Sequence, residues 1–437
     1  MRFILKVTLL AFISLLLSAC SADYDYTIDI DANSLTFISL KSNFEYDVAG
    51  IDQTLIFTVI DDITGEDITP VATFYVNGTT FSGNTFAFQE EGTYDFTAKI
   101  NDNETNSLSF QVVSGRFVTV NHSRLLRGQQ AEFRFFNTSG QDITQTATFF
   151  VNGSVINGNT FSSSTAGNYE VFAQYGGTGV STATSFEVFI PKRKVSYEDF
   201  TGTWCGWCPR VTNAIHILNE LSNDIVAIAI HNNDEMVHSQ AQELLLRQTF
   251  NVTGFPAARM NRIQVVPQLN EDQPQGINFV LNVAGTNTDN SIAIDTKLSG
   301  DLLKVKVKLL SENGLPAGYK LVVYLYQNGL IYPQTNYYHV IESSPWFGLG
   351  NPIPNFVHNE VLELSVSDLF GDPIQQVQPF EEYVVQYDPI NLSEFAHTDG
   401  LNTYDPQRFG IAVFLVNQAN ETLNAQHVKA GQSVNFE

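Results

Sequence analysis

Val195-Ser196-Tyr197-Glu198-Asp199-Phe200-Thr201-Gly202-Thr203-Trp204-Cys205-Gly206-Trp207-Cys208-Pro209 is the stretch that decides how the middle of this 437-residue chain folds. Residues 195–200 read as a strand. From Val211 the apolar positions Val211, Ala214, Ile215, Leu218 and Leu221 fall at helical spacing. The cysteine pair therefore sits where a strand hands over to a helix. Its two-residue gap lets both sulfurs meet across the first helical turn. The amides of a helix N-terminus favour a thiolate at Cys205, the species that attacks a disulfide. Pro209 is tolerated there because first-turn amides have no intrahelical acceptor to lose.

Trp204-Cys205-Gly206-Trp207-Cys208-Pro209 resembles the active site of thioredoxins and their periplasmic relatives. Downstream, residues 226–230 read as a buried strand and residues 239–250 as a second helix. Thr253-Gly254-Phe255-Pro256 then sits where that family places a cis-proline loop against its cysteines. A cis bond is costly except before proline, which suits this order of residues. The resemblance implies that Cys205 is the nucleophile and Cys208 the resolving thiol. Pro256 becomes the substrate-docking element, and Phe255 offers backbone groups to an extended substrate, with Trp204 and Trp207 as further contacts. It also implies that Asp199, six residues before Cys205, takes the proton of Cys208. Glu198 is the rival acid, and strand alternation is expected to turn only one of the two inward.

Two other readings of the pair stand beside this one. It can be half of a zinc site completed by His216 or His231, or an inert structural disulfide in a borrowed fold. The strand before, the helix after, Trp204 and Gly254-Phe255-Pro256 favour redox chemistry over zinc, and no metal or cofactor is expected. His231 and His238 are expected as solvated loop histidines.

Beyond a helix around residues 273–283 come strands at 292–298, 302–309, 321–327, 361–366, 383–387 and 409–417. Lys304, Lys306 and Lys308 alternate with Val305, Val307 and Leu309, which predicts a sheet with one wet face. Strands with no helix between them argue for a β-sandwich. A thioredoxin-like segment followed by such a sandwich resembles the Bacteroidetes family named for a 28-kilodalton outer-membrane protein. Phe200-Thr201-Gly202, the stretch Leu321-Val322-Val323-Tyr324-Leu325-Tyr326-Gln327-Asn328-Gly329-Leu330, and Phe356-Val357-His358-Asn359 carry that likeness. It spans residues 194–437, and His358 resembles a recurrent family histidine without an assigned role.

Upstream, Pro191-Lys192-Arg193-Lys194 reads as a linker, and before it residues 67–94 recur at 142–169. Thr73-Phe74-Tyr75-Val76-Asn77-Gly78 returns as Thr148-Phe149-Phe150-Val151-Asn152-Gly153. Short apolar runs between Asn-Gly turns are the pattern of hairpin-connected strands, and the period suits a small sandwich domain better than a solenoid. The two units resemble bacterial immunoglobulin-like domains, and a spacer role is favoured over ligand binding. At the start, Arg2 and Lys6 flank an apolar run over residues 7–17, a secretory signal too short to span a bilayer as a helix. Leu17-Ser18-Ala19-Cys20 resembles the lipobox of bacterial lipoproteins. That implies cleavage before Cys20 and its acylation by chains such as palmitate, a stable anchor when several are attached. Ser21 resembles an outer-membrane sorting signal.

The chain is thus expected to be multidomain and mainly β: a signal peptide (1–19), a lipid-anchored tether (20–33), immunoglobulin-like repeats (34–113 and 114–190), an α/β thioredoxin-like domain (191–288) and a C-terminal β-sandwich (289–437). A formal charge of −24 without a basic stripe excludes nucleic acid as a partner. The three cysteines leave one possible intramolecular disulfide once Cys20 bears lipid. The expected function is an outer-membrane lipoprotein that exchanges thiols and disulfides with extracytoplasmic proteins, served by a separate redox partner. The alternative is a surface binding or adhesion lipoprotein that uses the thioredoxin-like fold as a scaffold.

Overall fold

The computed structural model describes residues 37–437, residue 102 excepted. The signal, the tether and the lipidation expected at Cys20 lie outside the described residues. Within them the protein is mainly β, with many sheets and few helices.

The two repeats are built alike. In the first, strands Val48–Gly50, Leu108–Val113, Gly92–Ile100, Thr73–Val76 and Thr79–Phe81 follow one another across a sheet. In the second, Arg124–Leu126, Thr184–Phe189, Gly167–Tyr175, Ala147–Val151 and Ser154–Val155 do so in the same order. Each sheet faces a three-stranded one, and the enclosed core is aromatic: Phe57 meets Phe96 at 4.5 Å in one, and Phe133 meets Phe186 at 5.5 Å in the other. The hairpins turn at Asn77-Gly78 and Asn152-Gly153, where φ is +48° and +76° in both. That is the mirror-image turn whose twist matches the flanking strands.

The cysteine-bearing segment consists of β1 (Val195–Thr201), helix α1 (Pro209–Leu221), β2 (Ile225–His231), α2 (Gln240–Thr249), β3 (Ala257–Met260), β4 (Gln264–Val265) and α3 (Pro274–Leu281). β1 pairs parallel with β2 and antiparallel with β3. The C-terminal strands that matter to the site are β5 (Lys320–Gln327), β6 (Leu330–Gln334), β7 (Ile353–His358), β8 (Val361–Ser365), β9 (Phe409–Val416) and β10 (Thr422–Lys429). β2 also pairs parallel with β8 through Ala229 and Val361. One sheet therefore runs in the order β4-β3-β1-β2-β8-β5-β9-β10, straight across position 288/289. A four-stranded sheet of Glu382–Asn391, Leu302–Ser311, Asn290–Ser299 and Ser433–Val434 packs on its C-terminal half, enclosing Val305, Val307, Val323, Leu325, Ile411 and Val413. The sandwich expected from the sequence is present, but one of its layers is shared with the cysteine-bearing segment.

Three expectations change with this packing. Residues 191–194 are not a free linker: Lys194 is buried, its amide donating to Asn424 Oδ1 at 2.8 Å and its ammonium to Gln426 Oε1 at 2.8 Å. The lysine face of Leu302–Ser311 is not simply wet, because Lys306 Nζ reaches Asp62 of the first repeat at 3.1 Å. The second repeat docks too, through Arg127 to Glu312 at 2.6 Å, so the repeats expected as spacers fold against the C-terminal sheet.

Candidate functional site

β1 is buried along its whole length, which fixes its C-terminal end as a rigid launching point for the Gly202–Cys208 turn. The Cys205 amide donates to the Gly202 carbonyl at 3.0 Å and that of Cys208 to the Cys205 carbonyl at 3.1 Å. Cys208 is the N-cap of α1 and Pro209 its first residue, as the spacing predicts. The two cysteines form a disulfide with Cα atoms 5.4 Å apart. Cys208 is 1% exposed and Cys205 only 5%.

The Phe255–Pro256 peptide is cis. Phe255 packs edge-on against Trp204 at 5.3 Å, and the Trp204 indole N–H donates to the Asn232 carbonyl at 2.7 Å. Neither the backbone N–H nor the C=O of Phe255 has a hydrogen-bond partner among the described residues. A groove of about 620 Å3 opens beside the pair, lined by Trp207, Phe255 and Pro256 on one side and by Tyr338, Ile341 and Pro345 on the other.

That second wall was not foreseen. Between β6 and β7 the chain makes a long excursion that lies over the cysteine turn as a strap. The Gln334 amide donates to the Cys205 carbonyl at 2.9 Å. The backbone N–H groups of Thr335 and Tyr337 donate to the carbonyls of Thr203 at 2.8 Å and Gly206 at 2.9 Å, and the Trp346 indole donates to the Pro209 carbonyl at 3.0 Å. Trp207 is gripped edge-on by Tyr337 at 5.3 Å and Tyr338 at 5.2 Å. Position 206 needs glycine for space: a Cβ there would lie 2.5 Å from the Tyr337 ring. Asn336 ties the strap to itself, donating to the carbonyls of Trp346 and Gly350 at 3.0 Å and accepting from the Tyr338 amide at 3.0 Å. The one hint in the sequence is the aromatic content of Tyr337, Tyr338 and Trp346 in a stretch otherwise rich in turn residues.

Both acids of β1 are inside, which corrects the expectation that alternation admits only one. β1 is an inner strand covered on both faces, so its alternate side chains enter two different cores. Asp199 follows Tyr197 onto the α1 face; Glu198 faces Arg262 at 3.5 Å. Burial pushes the Asp199 carboxyl well above the usual range; Glu271 adds to this and Arg210 opposes it. Burial also raises Glu198, against the pull of Arg262 and Arg259. His231 is likewise no solvated loop residue: it is 4% exposed and its Nδ1 lies 2.7 Å from Asp234. His358 packs on it with ring centroids 5.4 Å apart, and burial holds its imidazole down at about 3, so it is neutral. His216 and His238 are exposed, as expected of His238. The structure thus brings Trp207, Phe255 and Pro256 to the groove, and places Asp199 in a separate small cavity behind α1.

A family model described as outer membrane protein Omp28 matches residues 243–434, which points to the outer membrane as the location. No curated protein matches the chain. Among solved structures, HBP35 of Porphyromonas gingivalis aligns at 17% identity over 55% of this chain and 76% of that one, with a TM-score of 0.40. The fibronectin(III)-like modules of Clostridium thermocellum CbhA align at 17% identity over 35% and 93%, with a TM-score of 0.16. A Bacteroides ovatus glucan-utilisation protein, SGBP-B in complex with a mixed-linkage heptasaccharide, aligns at 9% identity over 91% and 75%, with a TM-score of 0.20. These TM-scores are too low for the likenesses to imply a common fold or activity.

Proposed function

We propose that the chain is an outer-membrane lipoprotein, anchored through Cys20, whose thioredoxin-like segment (191–288) exchanges thiols and disulfides with extracytoplasmic proteins. The observation that carries this reading is the Cys205–Cys208 disulfide at the N-terminus of α1, in a site where the Phe255 backbone, beside Pro256, has no hydrogen-bond partner among the described residues. An extended polypeptide can add to that backbone as a strand adds to a sheet edge.

In the reducing direction the Cys205 thiolate attacks a substrate disulfide, forming a Cys205–substrate bond and releasing one substrate thiolate. Cys208 then gives up its proton, and its thiolate attacks Cys205 Sγ; the Cys205–Cys208 bond forms and the second substrate thiolate leaves. The substrate gains two electrons and the pair loses two, so a separate thiol or dithiol protein must reduce the pair for turnover. The oxidising direction uses the same atoms in reverse. Asp199 suits the proton step, because burial favours its protonated form and a carboxyl of raised pKa is a better proton acceptor.

The strap supports a second reading. With Cys205 only 5% exposed, the disulfide can be a permanent one in a scaffold that serves surface binding. Redox titration against glutathione buffers separates the two. The oxidoreductase reading expects a potential above about −300 mV, insulin reduction by the reduced protein, and trapping of protein partners by Cys208→Ala. A lower potential with no turnover and no trapped partner would leave the scaffold reading. For the anchor, a fatty-acid label is expected to disappear in Cys20→Ala.

A further inference from the structure

The strap does more than cover the cysteine turn, because it also lines the groove beside it. Phe255 and Pro256 reach the groove from the cis-proline loop, and Tyr338, Ile341 and Pro345 reach it from the strap. The volume of about 620 Å3 lies within the range of clefts that enclose one small ligand. A few residues of one extended chain fit there, and a folded domain does not.

The strap is fixed relative to the reacting sulfur, since Thr335, Gln334 and Tyr337 hold the carbonyls of Thr203, Cys205 and Gly206. Ile341 sits on a turn of its own. Its amide donates to the Tyr338 carbonyl at 2.9 Å, and its carbonyl accepts from the Ser344 amide at 3.0 Å. The residue is nonetheless 36% exposed. A bonded backbone thus presents an apolar side chain to the groove.

Two observations identify the occupant. The Phe255 N–H and C=O have no hydrogen-bond partner among the described residues, and Asn251, Gln268, Ser343 and Ser344 add side chains that both donate and accept. A polypeptide main chain needs both kinds of partner. The three charged residues of the lining, in contrast, are already matched. Arg210 is bound to Glu271 at 2.6 Å, and Arg259 donates to the carbonyls of Phe250, Asn251 and Ala258. Asp272 accepts from Asn213 and Gln273, each at 3.0 Å. A polar or charged side chain entering here would lose water without gaining a matching charge. An apolar one would cover Ile341 and Pro345 and gain by it.

We propose that the strap is the specificity wall of this site: Ile341 selects an extended polypeptide whose residue beside the reacting cysteine is apolar. The inference rests on the oxidoreductase reading and narrows its substrates to unfolded or loop segments of that kind. The substrate main chain pairs with Phe255, its cysteine meets Cys205, and the neighbouring side chain lies against Ile341.

The test uses the reduced full chain and two extended peptides, each carrying its one cysteine as a mixed disulfide with a coloured aromatic thiol. One peptide has leucine on both sides of the cysteine, and the other has serine. The Cys205 thiolate attacks the peptide sulfur, a Cys205–peptide bond forms and the coloured thiolate leaves. Cys208 then closes the pair and frees the peptide thiol, so the pair loses the two electrons that the mixed disulfide gains. The leucine peptide is expected to react about tenfold faster, the discrimination an apolar contact gives. Ile341→Ser is expected to bring the two rates within about twofold of each other, and Ile341→Leu to keep the parent ratio. Both variants should reduce a small uncharged dipyridyl disulfide, which has no neighbouring residue, at the parent rate. Equal peptide rates in the parent, or a ratio that Ile341→Ser leaves unchanged, overturn the proposal and leave the oxidoreductase reading standing. The same holds if Ile341→Ser instead turns a dimer into a monomer in sedimentation, which would make the groove an interface between copies. If neither the peptides nor the small disulfide reacts, both fall together.

Discussion

The repeats and the cysteine-bearing segment solve the same problem, holding a turn in one conformation, by different means. The Asn77-Gly78 and Asn152-Gly153 turns are set by their own two residues, whose positive φ values suit Asn and Gly and few others. The Cys205–Cys208 turn is set by a strap that begins 129 residues away in sequence, at Gln334. A locally encoded turn can be copied with its hairpin, as the tandem repeat was. A turn completed by a distant strap cannot, and its reactivity becomes a property of the whole assembly.

The comparison breaks most sharply at Cys205. Cys205→Ser is expected to bring insulin reduction down to background, while Asn152→Ala in the second repeat leaves it at the parent rate; the turbidity assay checks both. Asp199→Asn comes next. About a hundredfold loss of turnover at pH 7 is expected when a general base is removed, shrinking as pH approaches the thiol's own pKa of about 8.5. A pH–rate profile tests this, and a uniform loss at every pH would mark a purely structural effect.

Asn336→Ala probes the strap itself. It removes two donated bonds and one accepted bond from a side chain that is fully buried. The expected cost is about 2–3 kcal/mol in denaturant unfolding, together with faster alkylation of the reduced Cys205. Acid should loosen the site as well. Burial holds His358 at about 3, below the roughly 6.5 of an unfolded histidine. The unfolded chain therefore binds more protons between those values, and stability falls as pH drops through that window, by about 2 kcal/mol at pH 5 for this one group. Hydrogen exchange near β7 should report the loss, and His358→Gln should flatten it. The smallest effect belongs to the repeats: Gly153→Ala, at φ +76°, should cost about 1 kcal/mol with no change in the redox potential.

By itself the sequence determined the features that a dozen neighbouring residues can encode. These are the strand–Cys205-Gly206-Trp207-Cys208–helix order, the placement of α1, α2 and α3, the two Asn-Gly hairpins and the strand pattern of the C-terminal sandwich. Alternation, helical spacing and turn chemistry are local, so they are legible without partners. Only the tertiary structure decided the rest. Whether Glu198 or Asp199 faces inward depends on what covers β1, and both of its faces are covered. His231 is buried because Asp234 and His358 meet it there. The strap over Cys205 and the row that sets Asp199, Ala229 and Val361 side by side join residues far apart in sequence. The pairing of distant strands is fixed by how whole faces bury against one another, and no short stretch of this chain contains that information.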